Sequence, residues 1–163
     1  MFYGGGLISH LSASDDALNE FIALRKLNRH MAIVLDSDKG DDESELKPHA
    51  QRIVTEMSEG AGVVWVTAGR EIENYVDGGE LQSALKTLHP RLYKKAGKTG
   101  QYDHAFYFFR ENPNGSGKQI TYKGGDKVGA AAIVCNKPID LDTLDLREKI
   151  NELVEMIRKA NSL

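Results

Sequence analysis

The feature that most constrains this chain is the run Ala32-Ile33-Val34-Leu35-Asp36-Ser37-Asp38-Lys39-Gly40. Four apolar residues in a row, two of them β-branched, predict a strand buried on both faces, as in a parallel sheet. The run stops at two carboxylates one residue apart, and an acidic stretch follows: Asp41, Asp42, Glu43 and Glu45. In open α/β sheets ligands bind beyond the carboxyl ends of the strands, which is where Asp36 and Asp38 fall. Paired carboxylates repel unless a shared proton or a cation relieves them, and a hard divalent ion takes oxygen ligands readily. Taken alone, the Asp-x-Asp fits a solvated acidic loop equally well.

The remaining composition narrows the setting. A chain of 163 residues corresponds to one domain with room for a real core. Its net charge of −3 gives no global attraction to nucleic acid, so any such binding must come from a local patch. The single cysteine, Cys135, follows an apolar run and reads as a buried thiol; one cysteine excludes an internal disulfide and suits a reducing compartment. The N-terminus has neither the basic region nor the apolar core of a signal peptide. No apolar stretch approaches the roughly 20 residues needed to cross a bilayer, so no membrane association and a cytoplasmic location are expected.

Further elements follow from periodicity. Phe2-Tyr3 and the glycines 4–6 read as the tail of a strand entering a turn, with nothing ahead to complete a βαβ unit. Ser14, Asp15 and Asp16 offer capping chemistry for a helix with Leu18, Phe21, Ile22 and Arg25 on one face. Pro48 suits a first helical turn, and Leu46, Ala50, Ile53 and Met57 recur at spacings of 4, 3 and 4, with Gly60 as a stop. Gly62 to Val66 is a second apolar strand, giving a strand–helix–strand unit that is parallel and right-handed by default. Trp65 within it is a core residue. A helix is expected over 80–88, a mobile basic loop over about 90–103, and a strand or short helix over 104–109. Residues 127–134 predict a helix packed closely on the sheet. Asp145 and Glu148 have capping-box spacing ahead of a helix over about 145–160, with Leu146, Ile150, Leu153, Val154 and Ile157 on its apolar face.

Both apolar strands lead into carboxylates: Asp36 and Asp38 after the first, Glu71 and Glu73 just past the second. Adjacent parallel strands lie about 5 Å apart, so these groups fall within reach of one or two Mg²⁺ or Mn²⁺ ions. Two such ions about 4 Å apart stabilise both the attacking and the leaving oxygen in phosphodiester cleavage.

At this point the chain resembles a known family. Leu35-Asp36-Ser37-Asp38, followed by Val66-Thr67-Ala68-Gly69-Arg70-Glu71-Ile72-Glu73-Asn74-Tyr75, is similar to the Toprim nuclease domain of the OLD (overcoming lysogenization defect) family. Tyr3 to Leu11 and Asp126 to Ala131 also resemble segments of that family. The resemblance implies an α/β fold with a Toprim-like parallel sheet, helices on both faces, and metal-dependent nicking or cleavage of DNA. It makes Asp36 and Asp38 the Toprim aspartate pair, Glu73 the following acidic position with Glu71 as second candidate, and Lys127 a stabiliser of transition-state charge. The partners implied are DNA and an ATP-dependent ATPase domain or chain; a homodimer is compatible. A Toprim domain begins with a strand ending in a glutamate, and neither that strand nor a Gly-x₄-Gly-Lys-Ser/Thr loop is found here. The chain therefore reads as a partial Toprim-like domain over 1–163, incomplete on its own.

Two other classes compete. A haloacid-dehalogenase-like phosphatase would use Asp36 as nucleophile and Asp38 as acid, with Thr67, Lys118 or Lys123, and Gly125-Asp126 in its later motifs. It expects an aspartate where Ala130 stands and leaves Glu71 to Tyr75 unexplained. A catalytically inactive module that binds DNA or a partner predicts the same fold. Arg91, Lys94, Lys95 and Lys98, with Tyr93, either contact DNA phosphates or form a solvated charged loop. The five histidines show no ligand spacing and read as structural or exposed.

Overall fold

β1 (Ala32–Leu35) and β2 (Val63–Val66) form a parallel pair in the register Ala32↔Val63 to Leu35↔Val66, joined through α1 (Pro48–Ser58). The computed structural model describes residues 30–58, 62–115 and 117–162. The N-terminal strand tail, the helix capped near Ser14, and Gly60 lie outside the described residues. The 4-3-4 spacing works as expected: Ala50, Ile53 and Met57 form a buried stripe against Leu35, joined by Met31, Ile33, Leu46 and Val64. Burial of β1 on both faces is not observed. Val34 is 46% exposed and Ala32 is exposed, because alternate strand residues point away from the α1 side. Trp65 is buried.

The chain divides into two compact units, one holding β1, Glu45–Val66 and residues from Glu148 onward, the other Asp36–Ser44 and Thr67–Arg147. In the second, a 3₁₀ turn (Ile72–Tyr75) precedes α2 (Gly78–Leu88), whose N-terminus is capped by Asp77 accepting from the Glu80 N–H. Three short strands follow: β3 (Lys95–Ala96), β4 (Phe108–Glu111) and β5 (Gln119–Tyr122). They form an antiparallel sheet in the order β3-β4-β5. The fold is thus mixed α/β, with a parallel and an antiparallel sheet.

This antiparallel sheet is the element least visible in the sequence. Lys95 and Ala96, within the segment expected to be loop, pair with Phe109 and Phe108. Phe108 is fully buried with Leu85 among Leu81, Ala84, Ala105, Phe106 and Ala130, and His89, Tyr93 and Tyr122 ring it at centroid distances of 5.3, 5.0 and 4.9 Å. α3 (Lys127–Val134), capped by Asp126 on the Gly129 N–H, packs on α2 through Ala130. Only that face is covered. Val128 is 82% exposed, and Cys135, expected to be buried, is an exposed residue at the C-cap. In α4 (Leu146–Ala160), Leu146 is buried, whereas Val154 and Ile157 are exposed. No helix among the described residues is long and apolar enough to cross a membrane.

Truncating Phe108 leaves a cavity that its neighbours cannot fill. Phe108→Ala is expected to lower stability by about 3–5 kcal/mol, and Val128→Ala to stay within about 0.5 kcal/mol of the parent. Denaturant unfolding of the two variants checks the contrast.

Candidate functional site

The loops that follow β1 and β2 are held together by a buried knot of short polar side chains. The Ser37 N–H donates to Thr67 Oγ1 at 2.9 Å, and Ser37 Oγ donates to the Gly69 carbonyl at 2.6 Å. Thr67 Oγ1 donates to that same carbonyl at 2.8 Å. Ser37 and Thr67 are only 2% and 3% exposed, so each of these groups needs a protein partner and has one. Asp38 continues the loop at φ 54°, a left-handed conformation that aspartate tolerates better than most residues. From there its N–H reaches the Arg70 carbonyl at 2.9 Å, while Arg70 Nη1 donates to the Lys39 carbonyl at 3.1 Å. Gly69 is required by close approach: a Cβ there would stand 2.6 Å from Asn74 Cβ and 2.9 Å from the Gln101 carbonyl.

This knot sets the carboxylates. Asp36 Oδ1 accepts the Ile72 N–H at 2.8 Å, so the first residue of the 3₁₀ turn is tied to the loop after β1. Asp36 is exposed as a residue, yet its carboxyl is crowded by neighbouring atoms. That desolvation, aided by the negative charges of Glu73 and Asp38, raises its pKa above the ordinary aspartate value, although the Ile72 N–H and Lys127 act in the opposite sense. Lys127 Nζ lies 3.4 Å from Glu73 Oε1 and 4.8 Å from the Phe106 ring centroid, so packing and charge both hold it over the turn.

Glu71 faces different company. Its carboxylate lies 2.5 Å from His104 Nδ1 and 4.0 Å from Arg70 Nε, and its N–H donates to Asn74 Oδ1 at 2.7 Å. His104 in turn stacks on Tyr107 at 4.2 Å. Of the expected site residues, Asp36, Asp38, Glu73 and Lys127 are therefore brought into electrostatic contact, and Glu71 is engaged by His104 and Arg70. Arg91, Lys94, Lys95 and Lys98 lie in the segment that leads into and through β3; Lys94 pairs with Glu111 at 3.1 Å.

Several supporting residues are not apparent from spacing alone. Ser37, Thr67 and His104 make contacts across 30 or more residues of sequence. Tyr75, buried within the Glu-Ile-Glu-Asn-Tyr run, accepts the Ala68 N–H at 3.0 Å and donates to Asp145 Oδ1 at 2.5 Å. The signal that could have found them is the density of hydroxyl and amide side chains flanking the acidic residues.

Among the described residues, no group of three or more histidine, cysteine, aspartate or glutamate side chains is gathered closely enough to hold a metal ion by itself. The donor chemistry still suits a hard cation. Mg²⁺ is typically bound by one or two carboxylates with waters and substrate phosphates completing its shell. Desolvation is the main cause of the raised Asp36 pKa, and the repulsion from Glu73 and Asp38 that adds to it is what a divalent ion would relieve. No family model, curated protein or solved structure matches this chain.

Two predictions follow from this geometry. Because folding raises the Asp36 pKa, the native state holds that proton more tightly than the unfolded chain. Its contribution is favourable below the ordinary value of 3.8 and is lost as pH rises through the raised value. Asp36→Asn keeps an oxygen for the Ile72 N–H and removes the charge. Its melting temperature should gain on the parent as pH climbs from 3 to 7, in metal-free buffer; a difference that does not change with pH would contradict the assignment. Tyr75→Phe leaves the Ala68 N–H and Asp145 short of a partner and should cost about 1–3 kcal/mol in denaturant unfolding.

Proposed function

We propose that this chain is a divalent-metal-dependent DNA-nicking module of Toprim type, similar to the OLD-family nucleases and working with an ATPase domain or chain. The observation that carries the reading is the coupling of Asp36, Asp38 and Glu73. They come from the segments after two parallel strands, their charges act on one carboxyl, and Lys127 stands at the edge of the group. One or two carboxylates from Asp36, Asp38 and Glu73, with waters and the substrate phosphate completing the shell, would hold Mg²⁺ or Mn²⁺, with Glu71 supporting the turn through His104 and Arg70. When bound, the ion supplies charge stabilisation for a phosphodiester and activation of a water nucleophile.

The chain's own residues do the rest. The Ile72 N–H fixes the orientation of Asp36, and the Ser37–Thr67 knot fixes the distance between the two loops. Lys127, an exposed cation beside Glu73, offers positive charge to a phosphate oxygen as negative charge grows there. The phosphatase reading is less well supported, because Asp126, its last acidic position, is spent capping α3 through the Gly129 N–H.

Millimolar Mg²⁺ or Mn²⁺ should raise the melting temperature, by about 2.7 kcal/mol of stability at a hundred times Kd. The rise should shrink in Asp38→Ala and Glu73→Ala. In nicking of supercoiled plasmid, supplemented with a polypeptide bearing the ATPase and first Toprim strand, those variants should be inactive. Lys127→Ala should be about 10²–10³ slower while retaining the metal-induced rise. Robust p-nitrophenyl phosphate turnover by the chain alone, lost in Asp36→Asn but kept in Glu73→Ala, or no thermal response to either metal, would overturn the nuclease reading.

A further inference from the structure

The sequence between Arg91 and Lys127 differs in charge from the rest of the molecule. It holds eight lysines and arginines (Arg91, Lys94, Lys95, Lys98, Arg110, Lys118, Lys123, Lys127) against three acids (Asp103, Glu111, Asp126), a net of +5 in a chain whose total is −3. The same stretch carries seven of the chain's twelve aromatic residues: Tyr93, Tyr102, Phe106, Tyr107, Phe108, Phe109 and Tyr122. Phe106, Phe108 and the rings around them account for part of this as core. Tyr107 and Phe109 have another place.

The register decides which face Phe109 takes. Phe108 pairs with Tyr122 and Ala96 on the side that enters the core, so Phe109, next in sequence, lies on the opposite face beside Lys95 and Thr121. Lys95 Nζ is 5.9 Å from the Phe109 centroid, and Lys95 and Thr121 are both exposed. Tyr107 stands two residues before Phe109, and Lys123 Nζ lies 5.4 Å from its ring. Phe109 on β4 and Tyr107 just ahead of that strand are thus two half-buried rings, each with a flexible lysine over it, and Tyr107 also stacks on His104 at 4.2 Å. Among the described residues, of Lys94, Lys95, Lys98, Lys118 and Lys123, Lys94 alone makes an ion pair.

We propose that the outer face of the β3–β5 sheet binds single-stranded DNA, with a base stacking on Phe109 and phosphates contacting Lys95 and Lys123. A ring on an open sheet face stacks a base only where that base is unpaired, and aromatic rings on an antiparallel sheet are a recurrent platform for single strands. The lysines that lie over the rings in the free protein have the reach to move to the backbone. For the choice of DNA as the nucleic acid, this inference rests on the nuclease reading. The binding itself needs no metal.

The test is fluorescence anisotropy with a labelled oligothymidine and a mixed-sequence duplex of equal length, in EDTA so that the carboxylate site plays no part. The single strand should bind more tightly than the duplex, with affinity falling steeply as salt rises. Lys95→Ala and Lys123→Ala should each reduce the slope of log affinity against log salt by about 0.7. Phe109→Leu keeps an apolar side chain on the strand and should weaken binding roughly 5- to 100-fold with the slope unchanged. Unchanged melting temperatures would show that these variants are folded. Duplex binding as tight as the single strand, competition by polyglutamate equal to that of oligothymidine, or a folded Phe109→Leu that binds as the parent would overturn the proposal. Loss of the metal response with this binding intact would overturn only the nuclease reading.

Discussion

The candidate site depends on a three-centre hydrogen-bond knot: Ser37 and Thr67, both buried, converging on the carbonyl of Gly69. With the Asp38–Arg70, Arg70–Lys39 and Ile72–Asp36 hydrogen bonds it ties the loop after β1 to the loop after β2. A buried hydroxyl without a partner costs free energy, so each of the two hydroxyls favours keeping the loops together. Asp36 and Asp38 flank Ser37 in sequence, so clamping one residue positions two carboxylates. Glu71 and Glu73 flank Ile72 in the same way, and the Ile72 N–H is what Asp36 accepts. Each acidic pair is thus organised by the residue at its centre.

The energetic consequence is electrostatic. Clamping brings Asp36, Asp38 and Glu73 close enough for their charges to oppose one another, and the Ile72 N–H and Lys127 offset part of that repulsion. Burial of the Asp36 carboxyl is the larger cause of its raised pKa, and the repulsion from Glu73 and Asp38 adds to it. Glu71 escapes the conflict by facing His104 and Arg70. Among the described residues the carboxylates do not gather into a closed cage, so a cation here would need water or substrate to complete its shell.

What was legible in the sequence was whatever depends on local periodicity. The pairing of β1 with β2, the α1 stripe of Ala50, Ile53 and Met57, and the α2, α3 and α4 helices follow from apolar spacing and end signals. The antiparallel sheet was not legible, because β3 is two residues long and its pairing with β4 is non-local. Apolar runs also overstated burial: Val34, Val128 and Cys135 sit in such runs and are exposed, since composition does not say which face a neighbour covers. At the site, the carboxylates could be read from sequence, while the Ser37–Thr67 knot and the Glu71–His104 pair could not, because each joins residues 30 or more positions apart.

On the proposed function the clamped loops, and not the acidic stretch beside them, form the cation site. Paramagnetic broadening of amide resonances by substoichiometric Mn²⁺ tests this directly, because broadening reports proximity to the ion residue by residue. The amides of Ser37, Asp38, Ile72 and Glu73 should broaden first and together, and Asp36→Asn should delay them. Broadening centred instead on Asp41, Asp42 and Glu43, with the Ile72 amide unaffected, would contradict it.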